Sequence, residues 1–154
     1  MKQIFKNVFF YLIQGLMLYD ELAQAFAFLR LPAQEAMFSR LFARQNETYR
    51  DLCAYYTDRY DALVPVGDPD YSTVIPGKWY DLKSDDIDRD DAARYLLSRW
   101  ADWERKSRTA YRKCYNELVE QGDEGAACKV FELVVNAGME SIKAERCLDV
   151  GDNS

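Results

Sequence analysis

LVPVGDPDYSTVIPGKWYDLKSDD occupies residues 63–86 and decides the fold. It holds three of the chain's four prolines and two of its seven glycines, so no helix continues through it. The pattern is helical on both sides. Upstream, one helix is expected over about residues 2–29, and RLPAQEA then makes a short connection with Pro32 well placed at a helix start. A second helix is expected over about 33–62. Downstream, Asp88 and Asp91 read as N-cap and first-turn acids of a third helix over about 88–121. Gly122 suits the position just past its end, and Asp123 caps a fourth helix over about 124–148.

Connection lengths set the topology. The first and last connections are a few residues long, so each flanking pair is an antiparallel hairpin. The middle connection, about residues 63–87, reaches on the order of 80 Å when extended. A 30-residue helix is only ~45 Å long. The middle connection can therefore travel the whole length of a bundle, leaving helices two and three parallel. The expectation is one all-α domain over residues 1–154, an up-down-down-up four-helix bundle with one long crossover.

Composition narrows the function classes. At 154 residues the chain can bury a sizeable core, and 49% apolar with 30% charged residues is a globular balance. A net charge of −6 repels phosphate backbones, which argues against nucleic acid as a partner. The mixed-sign run KSDDIDRDD, residues 83–91, reads as a solvated helix entrance. Histidine is absent, which removes imidazole as ligand or base and every Ser-His or Cys-His nucleophile. Cys53, Cys114, Cys128 and Cys147 form no C-x-x-C pair and fall in helices, as expected of reduced, mostly buried thiols in a cytoplasm. The N-terminal apolar run has the look of a signal peptide ending at AFA, residues 25–27. Gln14 interrupts it and Asp20 and Glu21 precede that site, so it reads as a retained, buried first helix. Residues 8–19 are too few to span a bilayer, and no membrane partner is expected.

The helical seams carry a polar layer. Helix three shows Ala93, Leu97, Trp100, Glu104, Ser107, Tyr111, Cys114 and Leu118 at 4-3 spacing. Helix four answers with Ala126, Val130, Leu133, Ala137, Glu140, Ala144 and Cys147, and Lys143 stands three residues after Glu140. Glu104 and Glu140 are equally far from Gly122, so they lie at one height. Facing carboxylates in a core need a cation beside them. Helix two offers Phe38, Leu41, Gln45, Thr48 and Leu52. Helix one offers Phe10, Gln14, Met17 or Leu18, Glu21 and Ala25. Gln14, Gln45, Thr48, Glu104, Ser107, Tyr111, Glu140 and Lys143 thus converge on one layer. Glu47 and Arg50 share a solvated face with Arg40 and Arg44 and are set aside. Trp100 and Trp103 read as core and near-core packing, and Cys147 has no group to activate it.

WADWERKSRTAYRKCY, FELVVNAGMESIKAER and YDELAQAF make the chain resemble the ferritin-like superfamily, particularly its small rubrerythrin-like members. The resemblance implies the crossover bundle and a mid-bundle di-metal site with a Glu from each of two helices and Glu-x-x-His from each of the others. Here Lys143 and Thr48 stand at the histidine places, and Gln14 and Gln45 at two of the glutamates. Glu104 and Glu140 remain, too few strong donors for two metal ions. The resemblance therefore implies a bacterial bundle whose metal site has become an internal ion pair of Glu140 with Lys143. Its expected role is non-enzymatic, an interaction or structural protein with no cofactor, whose partner is another protein or itself as a homodimer. The layer then fixes helix register. Two other readings stand beside it: residual iron or manganese binding at Glu104 and Glu140 with oxidase or storage activity, and an acidic inhibitor docking on a basic partner surface. The aromatic residues Tyr55, Tyr56, Tyr60, Tyr71, Trp79 and Tyr80 pin the crossover to the bundle or form a partner surface.

Overall fold

The computed structural model describes residues 2–65 and 88–152 as four α-helices: α1 (Lys2–Phe28), α2 (Pro32–Tyr60), α3 (Arg89–Glu120) and α4 (Glu124–Asp152). There are no strands among the described residues, so the chain is all-α. Most of the 63–87 connection, with Tyr71, Trp79 and Tyr80, lies outside the described residues. So do the side chains of Glu140, Lys143 and Cys147, although α4 runs through all three positions.

Both short turns close in the same way. At the end of α1, Leu31 N–H donates to the Phe26 carbonyl at 2.9 Å and Arg30 N–H to the Ala27 carbonyl at 3.0 Å. At the end of α3, Asp123 N–H reaches the Leu118 carbonyl and Gly122 N–H the Val119 carbonyl, both at 3.0 Å. This is the six-to-one and five-to-two pairing that satisfies the last carbonyls of a helix, and it needs a left-handed residue in the middle. Gly122 supplies it at φ 77° without steric cost, whereas Arg30 adopts φ 57° with a side chain attached. A long-range contact offsets that strain. Arg89, the first residue of α3, donates from Nε to the Leu29 carbonyl at 2.9 Å and from Nη2 to the Arg30 carbonyl at 2.7 Å.

The Arg89 contact places the start of α3 beside the turn between α1 and α2. At the opposite end, Tyr60 of α2 donates its hydroxyl to Asp123 at 2.8 Å, and Arg59 approaches the same carboxylate at 3.5 Å. Asp123 caps α4 by accepting from the Ala126 N–H at 3.2 Å. Its side chain is largely withdrawn from water, which opposes ionisation. The Tyr60 hydroxyl, the Ala126 amide and Arg59 outweigh that and hold it below the usual carboxylate range. So α2 starts and ends where α3 starts and ends, and the two run in the same direction. α1 packs on α2 and α3, and α4 packs on α3 and α2. Asp88 caps α3 by accepting from the Asp90 and Asp91 amides at 3.0 and 3.2 Å.

The core falls into two apolar clusters. One gathers Leu18, Leu22, Phe26, Met37, Phe38, Leu96 and Trp100 near the Arg89 end. Its centre is aromatic, with Phe38 stacked on Phe26 at 5.5 Å and edge-on to Trp100 at 5.4 Å. The other gathers Phe5, Phe9, Leu12, Leu52, Tyr56, Leu118 and Val130 near the Asp123 end. Phe5, Phe9, Tyr56 and Tyr60 interlock there at centroid distances of 4.9 to 6.3 Å. Leu96 is buried where the 4-3 seam has Leu97, which is half-buried, so the α3 stripe widens at its start. Between the clusters lies a short polar level.

Candidate functional site

Seven-residue spacing builds this level. On α3, Glu104 and Tyr111 sit two turns apart on the inward face, with Ser107 between them. On α1, Leu12 and Tyr19 are likewise two turns apart, and Gly15 lies between. α2 contributes Leu41, Arg44, Gln45 and Thr48, and α4 contributes Leu133. Together Leu12, Tyr19, Gln45, Trp103, Glu104 and Tyr111 line most of a cavity of about 40 Å³. That volume matches on the order of two or three water molecules and no organic substrate.

Glu104 is only 4% exposed, and it anchors the site. The Tyr19 hydroxyl donates to Glu104 Oε1 at 3.2 Å. Burial drives the Tyr19 phenol well above its ordinary value, and the Glu104 charge adds to it. Trp103 meets Tyr19 edge-on at 5.4 Å and closes that side. Tyr111 is also buried, and burial raises its phenol with the Glu104 charge helping. The Gln45 amide pulls the other way without reaching hydrogen-bond geometry, so Tyr111 Oη has no partner among the described residues. The remaining polar groups are committed to backbone. Gln45 Nε2 donates to the Leu12 carbonyl at 3.2 Å, Thr48 Oγ1 to the Arg44 carbonyl at 3.1 Å and Ser107 Oγ to the Glu104 carbonyl at 2.9 Å.

Gln45, Thr48, Glu104, Ser107 and Tyr111 therefore share one level. Gln14 is half-buried and does not line the cavity; α1 is turned so that Gly15 takes the inward place. A Cβ on Gly15 would stand 2.5 Å from Trp103 and 2.7 Å from Gln45 Nε2, which is why the position is glycine. Tyr19, Trp103 and Arg44 belong to the site without having been assigned to it by the seams. The signal for the first two was Gly15 itself, because a lone glycine within a helix of bulky residues marks a close approach. Arg44 is exposed, yet it lines the mouth of the cavity. Glu47 and Arg50 are exposed.

Among the described residues the donors at this level are few for a di-metal centre. Among the described residues Glu104 is the single carboxylate lining the cavity, and its Oε1 accepts a hydrogen bond from the Tyr19 hydroxyl. The amide and hydroxyls are neutral oxygen or nitrogen donors, weak ligands for iron or manganese. Among the described residues no three acidic or cysteine side chains come together to share an ion. The Cys114 thiol is pushed up to about 12 by burial, with Glu117 adding to it, and the Thr48 and Ser107 hydroxyls are bonded to their own helices. Among the described residues Cys53, Cys114 and Cys128 are free thiols, and Cys128 is exposed rather than buried. No helix among the described residues is long and apolar enough to cross a membrane. No family model, curated protein or solved structure matches the chain, and its chemistry has to be read from its own residues.

Proposed function

We propose that this chain is an interaction protein on a ferritin-like frame, working through the outer face of α4 rather than through its mid-bundle site. The observation that carries it is that α4 is apolar on two opposite sides. Ala126, Val130 and Leu133 face the core, while Phe131, Val135, Met139 and Ile142 are 40–53% exposed on the other side. A surface helix ordinarily turns a polar face to water, and contiguous exposed apolar residues mark a binding surface. The co-directional α2 and α3 and the polar level at mid-height support the ferritin-like frame.

Met139 provides the test, because thioether oxidation by peroxide follows exposure. In dilute purified protein Met139 should oxidise at nearly the rate of an added methionine peptide. In fresh extract of its own cells it should be slowed at least about fivefold relative to the same peptide, because a partner covers it. A Met139 that oxidises in extract as fast as the added peptide would remove the basis of the proposal.

The competing reading is retained iron or manganese, favoured by the buried Glu104. Untagged protein loaded anaerobically with Fe(II) is expected to hold far less than one ion per chain by mass spectrometry, given the weak donors. One or two tightly bound ions, lost on Glu104→Ala, would establish a metal protein instead.

A further inference from the structure

We infer that the outer face of α4 is covered by a second copy of this chain, packed antiparallel about a two-fold axis near Gly138 and Met139; this rests on the interaction reading above. Three features of the helix favour this occupant. The first is Gly138 itself. Glycine weakens a helix interior, and a Cβ at this position would meet nothing within 4 Å, so packing within the chain does not ask for it. A second helix crossing closely at that point does ask for it, because a small residue lets two backbones approach.

The second feature is the pattern around that point. With the axis at the 138–139 step, Val135 lies over the partner's Ile142, and Phe131 lies over the partner's Arg146. Glu132, an exposed carboxylate with Lys129 loosely beside it at 3.9 Å, comes within reach of the same Arg146, and Arg146 is exposed in the single chain. Both apolar and charged positions therefore meet complementary ones, and a guanidinium over an aromatic ring adds a favourable contact. A parallel pairing would instead set Glu132 against Glu132 and Arg146 against Arg146. Repulsion selects the antiparallel form.

Area is the third. Phe131, Val135, Met139 and Ile142 expose on the order of 350 Å² in each copy, so two copies bring roughly 700 Å² of apolar area, with polar rims to add, toward the roughly 1,000 Å² of a specific interface. Val119 of α3, 51% exposed, and Tyr115, which touches Phe131 at 5.8 Å, extend the same patch.

Sedimentation equilibrium on the full chain up to about 100 μM is the test. The wild type should weigh twice the 18.0 kDa of one chain. Gly138→Gln should be monomeric while keeping its helix content and, at dilutions where the wild type is itself dissociated, its thermal midpoint, since a Cβ there meets open space in the single chain. Glu132→Arg and Arg146→Glu should each weaken dimerisation at least about tenfold, and the double exchange should restore most of that loss. A monomeric wild type, or a dimer indifferent to Gly138→Gln and to the charge exchange, overturns the inference. A monomer whose Met139 is still shielded in extract would leave the interaction reading intact with a different partner. A monomer whose Met139 is open in extract would sink both.

Discussion

Raised from pH 9 to pH 11, the protein will lose several kcal/mol of stability, chiefly through its most deeply buried phenols and one thiol. Tyr19 and Tyr111 hold their protons in the folded state well beyond the ordinary phenol value of 10.0 because burial disfavours the phenolate. Cys114 does the same between 9.0 and about 12. In the unfolded chain all three ionise at their ordinary values. Above pH 9 to 10 the unfolded state thus binds fewer protons than the folded one, and stability falls as pH rises. The stabilisation is complete below the unfolded values and is lost toward the folded ones. Each group contributes about 1.4 kcal/mol per pH unit inside its own window. Against a total of about 5–15 kcal/mol for a domain, that loss brings the bundle close to its unfolding transition by pH 11. The urea midpoint followed from pH 7 to 11, with tyrosinate absorbance alongside, measures it. Tyr111→Phe should flatten the alkaline slope by the share of one group. If the phenols of the folded protein titrate near pH 10 with no loss of midpoint, the mid-level of the bundle is wet and the buried Tyr19–Glu104 bond is not its organising contact.

The second large effect is at Gly15. Alanine in place of glycine inside a helix normally stabilises by about 1 kcal/mol. Here the sign should invert. The new Cβ would lie 2.5 and 2.8 Å from two ring atoms of Trp103, and an indole edge that is itself buried cannot swing aside as a flexible side-chain tip does. Gly15→Ala should cost about 2 kcal/mol net, and Gly15→Leu more than about 3 kcal/mol. For a chain of this size each kcal/mol lowers the melting temperature by roughly 2–4 °C. Trp103→Phe in the Gly15→Ala background should recover much of the loss, because a smaller ring vacates the contested space, and that non-additivity separates a clash from a general weakening of α1. A Gly15→Ala protein that melts higher than wild type would show that α1 and α3 do not approach this closely.

Gly15 also shows why the fold was legible in the sequence while part of the site was not. Helices end where proline, glycine and capping aspartate stand, and Pro32, Asp88 and Gly122 are visible in one chain. α3 could be oriented because charged residues alternate with apolar ones along it, so its inward stripe from Trp100 to Leu118 reads directly. α1 offers no such contrast. From Val8 to Leu18 nearly every residue is apolar, periodicity cannot choose a face, and the helix is turned by about one position from the seam that passes through Gln14. What turns it is contact with residues 85 or more positions away, the close fit of Gly15 on Trp103 and of Tyr19 on Glu104. Arg44 escaped for a different reason. A long side chain on a solvated face can still lay its stem over a cavity mouth, and spacing alone does not show it.

The division of the core by one polar level has a consequence for how the chain reaches its native state. A bundle of uniform apolar stripes offers many compact arrangements of similar energy, displaced from one another by whole heptads. Sliding α1 by seven residues here, roughly 10 Å, would exchange Tyr19 for Phe26 or Leu12 opposite Glu104. Neither has a hydroxyl to give. The same slide drives Gly15 away from Trp103 and brings a full side chain against the indole. Slipped intermediates are thus penalised twice, once by the lost Tyr19 hydrogen bond to Glu104 and once by steric overlap, at a height where the true arrangement suffers neither. One short level of hydrogen bonds and a single missing methyl group separate the native basin from its nearest competitors.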